Sequence, residues 1–455
     1  MIKIIRPLDN IVISLGVTIL AISLLIFMLK INMNNYLIFS IISIFLFISF
    51  FWIIKFSFKS KYDLLEPINI IYFFVILGYI ISPILIYVTG NCSYLIRYMD
   101  DYERSILMAK ASFFTLAGLI CFYLGYNSDF SKKLGNILPS FNLSWNYKRA
   151  KIIILIFSLI GFICYAYYAH NGGGIKYMLS NPEQRWYIYE KVPAGGYALW
   201  GIELLPLSVY IWFVNFITVK KRLSFLLYLL LICFIMATLG GRGRIIEIFL
   251  TMVLIYNYLI RRQTIIDIAK FLLIIVIPII ILFSIFIGNS SEENLQHASY
   301  LFSGEYFGGL ASFMHILKYI GEGLGPYYGR TFISLLYYPI PRVLWPNKPV
   351  SAGRLILLPF YPNQGGGVGL SLTAELFLNF LFPGILMGMI FYGVISRAFY
   401  FYLKKNIKNR AVVLFYASVL FYWIVGLSST DFVTTTLPSI TKSIALLFSL
   451  KFITK

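Results

Sequence analysis

The chain has 455 residues, of which 60% are hydrophobic and 12% are charged. Soluble domains average about 45–50% apolar and about 25% charged residues, so too little polar surface remains to cover a water-soluble protein of this length. The same composition excludes intrinsic disorder and a collagen-like chain. It predicts a polytopic membrane protein, in which the net charge of +20 reflects basic cytoplasmic loops rather than nucleic-acid binding.

Twelve apolar stretches are long enough to cross about 30 Å of hydrocarbon as helices. If the N-terminus is cytoplasmic, every predicted inner loop is rich in lysine and arginine, as the positive-inside rule requires. We therefore predict an all-α polytopic fold with about twelve transmembrane helices and both termini in the cytoplasm. The stretches lie near 11–29, 36–54, 68–88, 105–124, 152–169, 197–219, 223–239, 245–260, 265–287, 371–403, 411–429 and 432–450.

One predicted outer loop is long enough to form a subdomain. The prediction divides the chain into helices 1–9 within 1–287, an outer loop subdomain over 288–370, and helices 10–12 within 371–455. The loop is rich in proline and aromatic residues, which favours an ordered segment that lies partly at the membrane interface. Its stretch 305–323 has one polar and one apolar face, which predicts an amphipathic helix on the membrane surface or over a cavity.

Arginine and lysine are distributed differently between the two predicted sides. Most lysines lie in the inner loops, whereas roughly half of the arginines fall on the outer side. The planar guanidinium binds phosphate through two parallel hydrogen bonds, and lysine acts as a point charge. The outer arginines therefore indicate an anionic ligand such as a lipid-linked phosphate or pyrophosphate. The alternative is surface pairing with the outer carboxylates.

The densest basic cluster is a short outer turn, Gly240-Gly241-Arg242-Gly243-Arg244, followed by Glu247. Glycines allow the backbone to approach an anion closely, and the next helix begins with its positive dipole end at this turn. We predict that Arg242 and Arg244 bind phosphate, with Glu247 in support. The alternative for Glu247 is an ion pair with Arg244 one helical turn away.

Carboxylates near the outer ends of the predicted spans are the candidates for acid–base chemistry. Glu375 lies four residues before Asn379, so the two share a helix face, and Asp431 lies at another predicted outer boundary. A buried carboxylate has a raised pKa and can deprotonate a hydroxyl nucleophile. Glu375 is thus a candidate base or, alternatively, the partner of an arginine.

The histidines His170, His297 and His315 all fall on the predicted outer side. None has a second ligand at the spacing that zinc requires, so we predict no metal and no cofactor. His315 lies on the polar face of the stretch 305–323, which makes it a second candidate base. A plain interfacial histidine is the alternative.

The segment Pro341-Arg342-Val343-Leu344-Trp345-Pro346-Asn347-Lys348-Pro349 resembles the tryptophan–proline motif of the O-antigen polymerases, the Wzy-type polymerases of oligosaccharide repeat units. The elements Tyr328-Gly329-Arg330-Thr331-Phe332 and 369–380, together with the Gly241-Arg242-Gly243 turn, are also similar to segments of that family. The resemblance covers roughly residues 240–400; residues 1–220 match only in hydropathy.

The resemblance implies a bacterial inner-membrane glycosyltransferase whose active site faces the periplasm, with a fold like the lipid-dependent GT-C-like glycosyltransferases. Its donor and acceptor would be oligosaccharides on undecaprenyl pyrophosphate, in the lipid bilayer, and a chain-length regulator would be a possible partner. Departing pyrophosphate requires cationic stabilisation, so Arg330, Arg342 and Lys348 join the two arginines of the turn as candidates, with Trp345 in support.

Two other functions remain open from the sequence. A ligase would transfer a finished glycan from the same lipid to a different acceptor, and a lipid-linked oligosaccharide flippase also has about twelve to fourteen spans. A flippase needs no large outer loop, so the stretch 288–370 favours an enzyme. The sequence does not distinguish the sugars, the linkage or the chain length.

Overall fold

The computed structural model describes residues 63, 65–76, 78–79, 82, 93–181, 188, 191–216, 222–239, 242–263, 267, 270, 309–341, 344–345, 347–362 and 366–455. These ranges contain α-helices and a π-helical segment, Tyr416–Leu420, and no strand. The α-helices are α1 Pro67–Ile76, α2 Asp101–Tyr126, α3 Phe130–Gly135, α4 Tyr147–Asn171, α5 Gly174–Ser180, α6 Gly195–Ile202, α7 Leu204–Phe216, α8 Arg222–Thr238, α9 Arg242–Leu259, α10 Leu310–Tyr319, α11 Arg330–Tyr337, α12 Ala352–Leu355, α13 Leu372–Lys405, α14 Arg410–Phe415, α15 Phe421–Gly426 and α16 Phe432–Thr454.

Five helical stretches in these ranges are long and apolar enough to cross a membrane: Asp101–Tyr126, Tyr147–Asn171, Gly195–Asn215, Leu372–Lys405 and Phe432–Thr454. Leu223–Thr238 and Arg410–Gly426 are shorter apolar helices. The all-α membrane fold predicted from the sequence is confirmed. The number of twelve spans, the cytoplasmic termini, the likeness to GT-C enzymes and the domain boundaries stay predictions. The predicted spans near 11–29 and 36–54 lie outside the described residues, as does the span near 265–287 except for residues 267 and 270.

Loops that the sequence assigns to one side of the membrane meet at one end of the bundle. At the first end, the amide of Asn146 donates to the carbonyl of Ile453 (3.1 Å) and Lys405 donates to Asn136 (2.7 Å). We call this the basic end. At the opposite end, Lys318 pairs with Glu103 at 2.7 Å, and residues 309–371 pack there. We call this the loop end.

Helix α13 is not one straight span. At Leu381 the backbone angles are φ 58° and ψ −152°, and Pro383 follows. Thr373 Oγ1 lies 3.7 Å from Met389 Sδ, although sixteen residues of straight helix would extend about 24 Å. Residues 372–380, which we call the re-entrant segment, therefore fold back beside 382–405. A side chain at Gly384 would lie 2.7 Å from the carbonyl oxygen of Leu376, so glycine permits this close packing.

Residues 310–316 of α10 are buried on both faces, so the described part of this stretch does not lie on a surface, and the alternative of a helix over a cavity stays a prediction. Phe313 and Met314 on the apolar face and His315 on the polar face are all less than 3% exposed. The ring of Phe313 packs against Phe114 of α2 and Phe377 of the re-entrant segment. The described part of the predicted outer loop thus shares one core with the apolar helices.

Helix α11 is amphipathic, but its apolar face points outward. Ile333 and Leu336 are 55% and 80% exposed, whereas Thr331 and Ser334 are buried. The polar face packs onto α13 and α16, where Thr331 reaches the carboxylate described below.

Candidate functional site

Glu375, a candidate base, lies in the re-entrant segment with none of its surface exposed. Its Oε1 accepts the Thr331 hydroxyl hydrogen at 2.6 Å, and its Oε2 accepts the backbone amide hydrogen of Phe432 at 2.7 Å. Phe432 is the first residue of α16, so the carboxylate sits where the helix dipole stabilises negative charge. Both oxygens of this buried acid are therefore satisfied.

Asn379 lies one turn after Glu375 and extends the same network. Its Nδ2 donates to Thr331 Oγ1 at 2.7 Å and to the Glu375 carbonyl at 2.8 Å, while its Oδ1 accepts from the Gly329 amide at 3.0 Å. The sequence predicted the shared face of Glu375 and Asn379, but nothing in it indicated Thr331. The network ties the start of α11 to the re-entrant segment.

Asp431, the second predicted acidic residue here, caps the N-terminus of α16. Its Oδ1 accepts from the Thr434 amide at 2.9 Å, and its Oδ2 accepts from the Gly353 amide at 3.4 Å. Burial raises the pKa of Asp431 above its usual value, and hydrogen bonds from Thr434 and Gly353 offset part of that rise. Because Phe432 follows directly and donates to Glu375, the two buried carboxylates flank the same helix start.

No arginine among the described residues contacts Glu375, which accepts hydrogen bonds from Thr331 and Phe432. The arginine-partner interpretation of Glu375 therefore finds no support within those ranges. A general base and a hydrogen-bonded structural carboxylate are the two roles compatible with this geometry.

The second predicted cluster forms a separate charged group around Lys442 of α16. Lys442 Nζ lies 2.6 Å from Glu247 Oε1 and 3.1 Å from Glu203 Oε2. Arg244 Nε lies 3.6 Å from Glu203 Oε1. The alternative pairing of Glu247 with Arg244 was wrong, because each residue has a partner on another helix. The side chain of Arg242 lies outside the described residues.

The remaining predicted cations differ in their surroundings. Arg330 is exposed at the start of α11, and Arg342 lies outside the described residues. Lys348 is 9% exposed and donates to the carbonyls of Tyr338 and Ile340 at 2.8 Å each. Trp345 is 39% exposed, and its ring lies 5.4 Å from that of Tyr337. Lys348 and Trp345 therefore hold the proline-rich turn at the loop end.

His315, the second candidate base, is enclosed by aromatic rings. The ring centres of Tyr319 and Phe360 each lie 4.8 Å from its own. Neither imidazole nitrogen has a hydrogen bond of ordinary geometry within the described residues. Burial lowers the pKa of His315 below its usual value, and the nearby backbone of Leu95 and Ile356 offsets part of that shift.

The structure thus brings the predicted residues into two groups joined by α16. Glu375, Asn379 and Asp431 surround the start of α16, and Arg244 and Glu247 lie near its middle at Lys442. Eleven residues separate Asp431 from Lys442, about 16 Å along a helix. Within the described ranges, no three His, Cys, Asp or Glu side chains are placed to share a metal ion, and the metal-independent mechanism stays a prediction.

Comparison with known proteins finds two similar sequences. The O-antigen polymerases of Salmonella typhimurium strain LT2 and of Salmonella typhi are each 23% identical to the chain over 374 residues, which cover 77% of this chain and 79% of each relative. No protein-family model matches the chain, and no solved structure matches it.

Proposed function

We infer that the chain is a distant member of the O-antigen polymerase family and that it is a glycosyltransferase which polymerises oligosaccharide repeat units into O-antigen or a similar surface polysaccharide. The observation that carries this inference is the similarity to two named polymerases over 77% of the chain. The apolar helices place the enzyme in a membrane.

We propose further that the donor is a repeat-unit chain on undecaprenyl pyrophosphate and that the active site lies at the periplasmic face of the inner membrane. The bond between the growing chain and its lipid pyrophosphate breaks, and a glycosidic bond forms to a hydroxyl of the next lipid-linked unit. The hydroxyl proton passes to a base, and the lipid pyrophosphate leaves with the bonding electron pair. Loop-end arginines and the buried carboxylates of the same bundle support this division of tasks.

Arg244, with Arg242 beside it, serves as the pyrophosphate-binding pair, since cations in a water-poor site stabilise the departing charge best. Arg330 and Arg342 are further candidates on the same predicted side. Glu375 serves as the base. Its burial and its position beside Asp431 support Glu375 as the base, whereas the aromatic rings around His315 give less support to that residue. To receive a proton, Glu375 must exchange one of its present hydrogen bonds.

Deletion of the gene, followed by gel analysis of the surface glycan, tests the proposed function. Loss of a polymerase leaves a single repeat unit on the final acceptor. Loss of a ligase leaves the acceptor bare, and loss of a flippase retains the units on the cytoplasmic side. A deletion strain complemented with Arg244→Lys keeps the charge but loses the bidentate fork, so the ladder should shorten while membrane insertion is unchanged. A bare acceptor in the deletion strain would contradict the polymerase assignment.

A further inference from the structure

Lys442 is a charged side chain in the middle of a membrane-spanning helix, with 3% of its side chain exposed. It is shared by the carboxylates of Glu247 (2.6 Å) and Glu203 (3.1 Å), and its Nζ lies 4.5 Å from the centre of the Tyr422 ring. A lysine at such a position is costly unless it is paired. The two carboxylates and the aromatic face therefore fix Lys442 inside the bundle.

Glu203 links this buried cation to a more accessible one. It caps the end of α6, where α7 begins, and its two oxygens face different cations. Oε2 faces Lys442, and Oε1 faces Arg244 Nε at 3.6 Å, which is an ion pair rather than a hydrogen bond. The exposed fraction rises from 3% at Lys442 through 17% at Glu203 to 30% at Arg244. Lys442, Glu203 and Arg244 therefore form a row of alternating charges that extends from the interior of the bundle to its surface.

Within the described residues, the far edge of the Arg244 guanidinium makes no contact. Its Nε contacts Glu203, and neither Nη atom has a partner among the described residues. The two Nη groups present hydrogen atoms that can bind two oxygens of one phosphate in parallel. A guanidinium held at Nε and free at both Nη atoms is therefore oriented to receive an anion.

We propose that Lys442 and Glu203 are positioning residues, which hold Arg244 so that its free Nη edge faces the diphosphate of the lipid-linked donor. Lys442 fixes Glu203, and Glu203 fixes Arg244. The identity of the anion rests on the proposed function, but the mechanical relation between the three side chains does not. The group contains two cations and two carboxylates, so it carries no net formal charge in the low-dielectric interior.

Positioning and simple charge balance have opposite consequences for Glu203→Gln. If Glu203 only neutralised positive charge, its removal would strengthen binding of an anion, since unlike charges attract more strongly without it. If Glu203 orients Arg244, the isosteric glutamine releases the guanidinium, and binding weakens. The sign of the change in affinity therefore distinguishes the two roles.

The test measures binding of farnesyl diphosphate to the purified full-length protein in detergent micelles, with farnesol as the uncharged reference. Glu203→Gln should weaken diphosphate binding about tenfold or more, which is the cost of losing a hydrogen bond between Arg244 and the charged diphosphate. Farnesol binding should be unchanged. The double variant Lys442→Met with Glu247→Gln conserves net charge and should weaken diphosphate binding as well. Lys442→Arg keeps a cation between the two carboxylates and should retain most of the wild-type affinity for the diphosphate.

A double-mutant cycle shows whether Glu203 acts through Arg244. In an Arg244→Lys background, Glu203→Gln should have little further effect, because the group that it positions is already lost. Glu103→Gln, which breaks the Lys318 pair at the loop end, is the matched control and should leave binding unchanged. Equal or tighter diphosphate binding by Glu203→Gln, or additive effects in the cycle, would overturn the proposal. Failure of the wild-type protein to polymerise would overturn the proposed function and leave this binding result standing.

Discussion

Thr331 donates its hydroxyl hydrogen to Glu375 Oε1 across 2.6 Å and so joins two segments that lie 44 residues apart in the chain. The same hydroxyl oxygen accepts a hydrogen from Asn379 at 2.7 Å. One small side chain therefore fixes the start of α11, the re-entrant segment and the candidate base with respect to one another.

The first prediction concerns that hydroxyl. Thr331→Val keeps the shape but leaves a donor on Asn379 and an oxygen of Glu375 unsatisfied, which costs about 1–3 kcal/mol for each buried group. Thr331→Ser keeps the hydroxyl and is the matched control. Thermal unfolding in detergent, followed by tryptophan fluorescence, should show a clearly lower midpoint for the valine variant and a small change for serine. Equal midpoints would mean that the network contributes nothing to stability.

The second prediction concerns the chemical role of Glu375. Glutamine can still accept from the Phe432 amide and can donate to Thr331, while the Thr331 hydroxyl hydrogen loses its acceptor. Glu375→Gln should therefore fold, with an unfolding midpoint lowered by no more than the loss of one hydrogen bond. If Glu375 is the base, polymerisation should fall about 10²–10⁴-fold, the usual cost of lost general-base catalysis, while donor binding persists. Normal chain lengths from a well-folded Glu375→Gln enzyme would assign Glu375 a structural role.

The third prediction concerns pH and His315. Burial lowers the pKa of His315 in the folded state, so below its ordinary value of about 6.5 the unfolded chain binds the proton more readily. Stability should therefore decline as the pH falls through that window. His315→Phe replaces the imidazole by a ring that does not titrate. The unfolding midpoint of this variant minus that of the wild type should increase as the pH is lowered from 7.5 to 5.5. A constant difference across that range would contradict the burial argument.

His315→Phe also tests the alternative base, because the phenyl ring fits between Tyr319 and Phe360 but cannot accept a proton. We expect polymerisation to persist at pH 8 in this variant. Loss of turnover by the folded protein would instead favour His315 over Glu375.

The fourth prediction concerns the proline-rich turn. Lys348 Nζ donates to the carbonyls of Tyr338 and Ile340 and lies 4.9 Å from the centre of the Tyr338 ring. Lys348→Met removes these contacts and should loosen the turn, so limited proteolysis between residues 338 and 348 should accelerate. Lys318→Met, which breaks a more exposed ion pair at the same end, is the control. Unchanged proteolysis with reduced donor binding would indicate that Lys348 contacts the donor instead.

The sequence predicted the parts of this protein that depend on local composition. The helices near 105–124, 152–169 and 432–450 are recognisable because about 20 apolar residues in succession have no other stable form in a membrane. The shared face of Glu375 and Asn379 follows from helical spacing alone. These properties require no knowledge of what packs against each helix.

The contacts between distant segments could not be predicted in this way. The stretch 371–403 reads as one long span, and only the backbone conformation at Leu381 shows that its first part folds back. Lys442 is a charge within a predicted span, but its partners Glu203 and Glu247 depend on tertiary packing and could not be named from the sequence. The burial of α10 likewise depends on tertiary packing, because Phe313 on its apolar face packs against α2 and α13 and His315 on its polar face packs against Phe360.

Polymerisation by the purified enzyme in proteoliposomes is the decisive measurement of whether the chain joins lipid-linked repeat units. Lipid-diphosphate-linked repeat units are supplied as both donor and acceptor, and the products are separated by chain length while released polyprenyl diphosphate is quantified. We expect a ladder of lipid-linked polymers with one polyprenyl diphosphate released for each linkage formed, and a loss of both in Glu375→Gln. Repeat units that remain single, or that are transferred only to an acceptor without lipid diphosphate, would contradict this expectation.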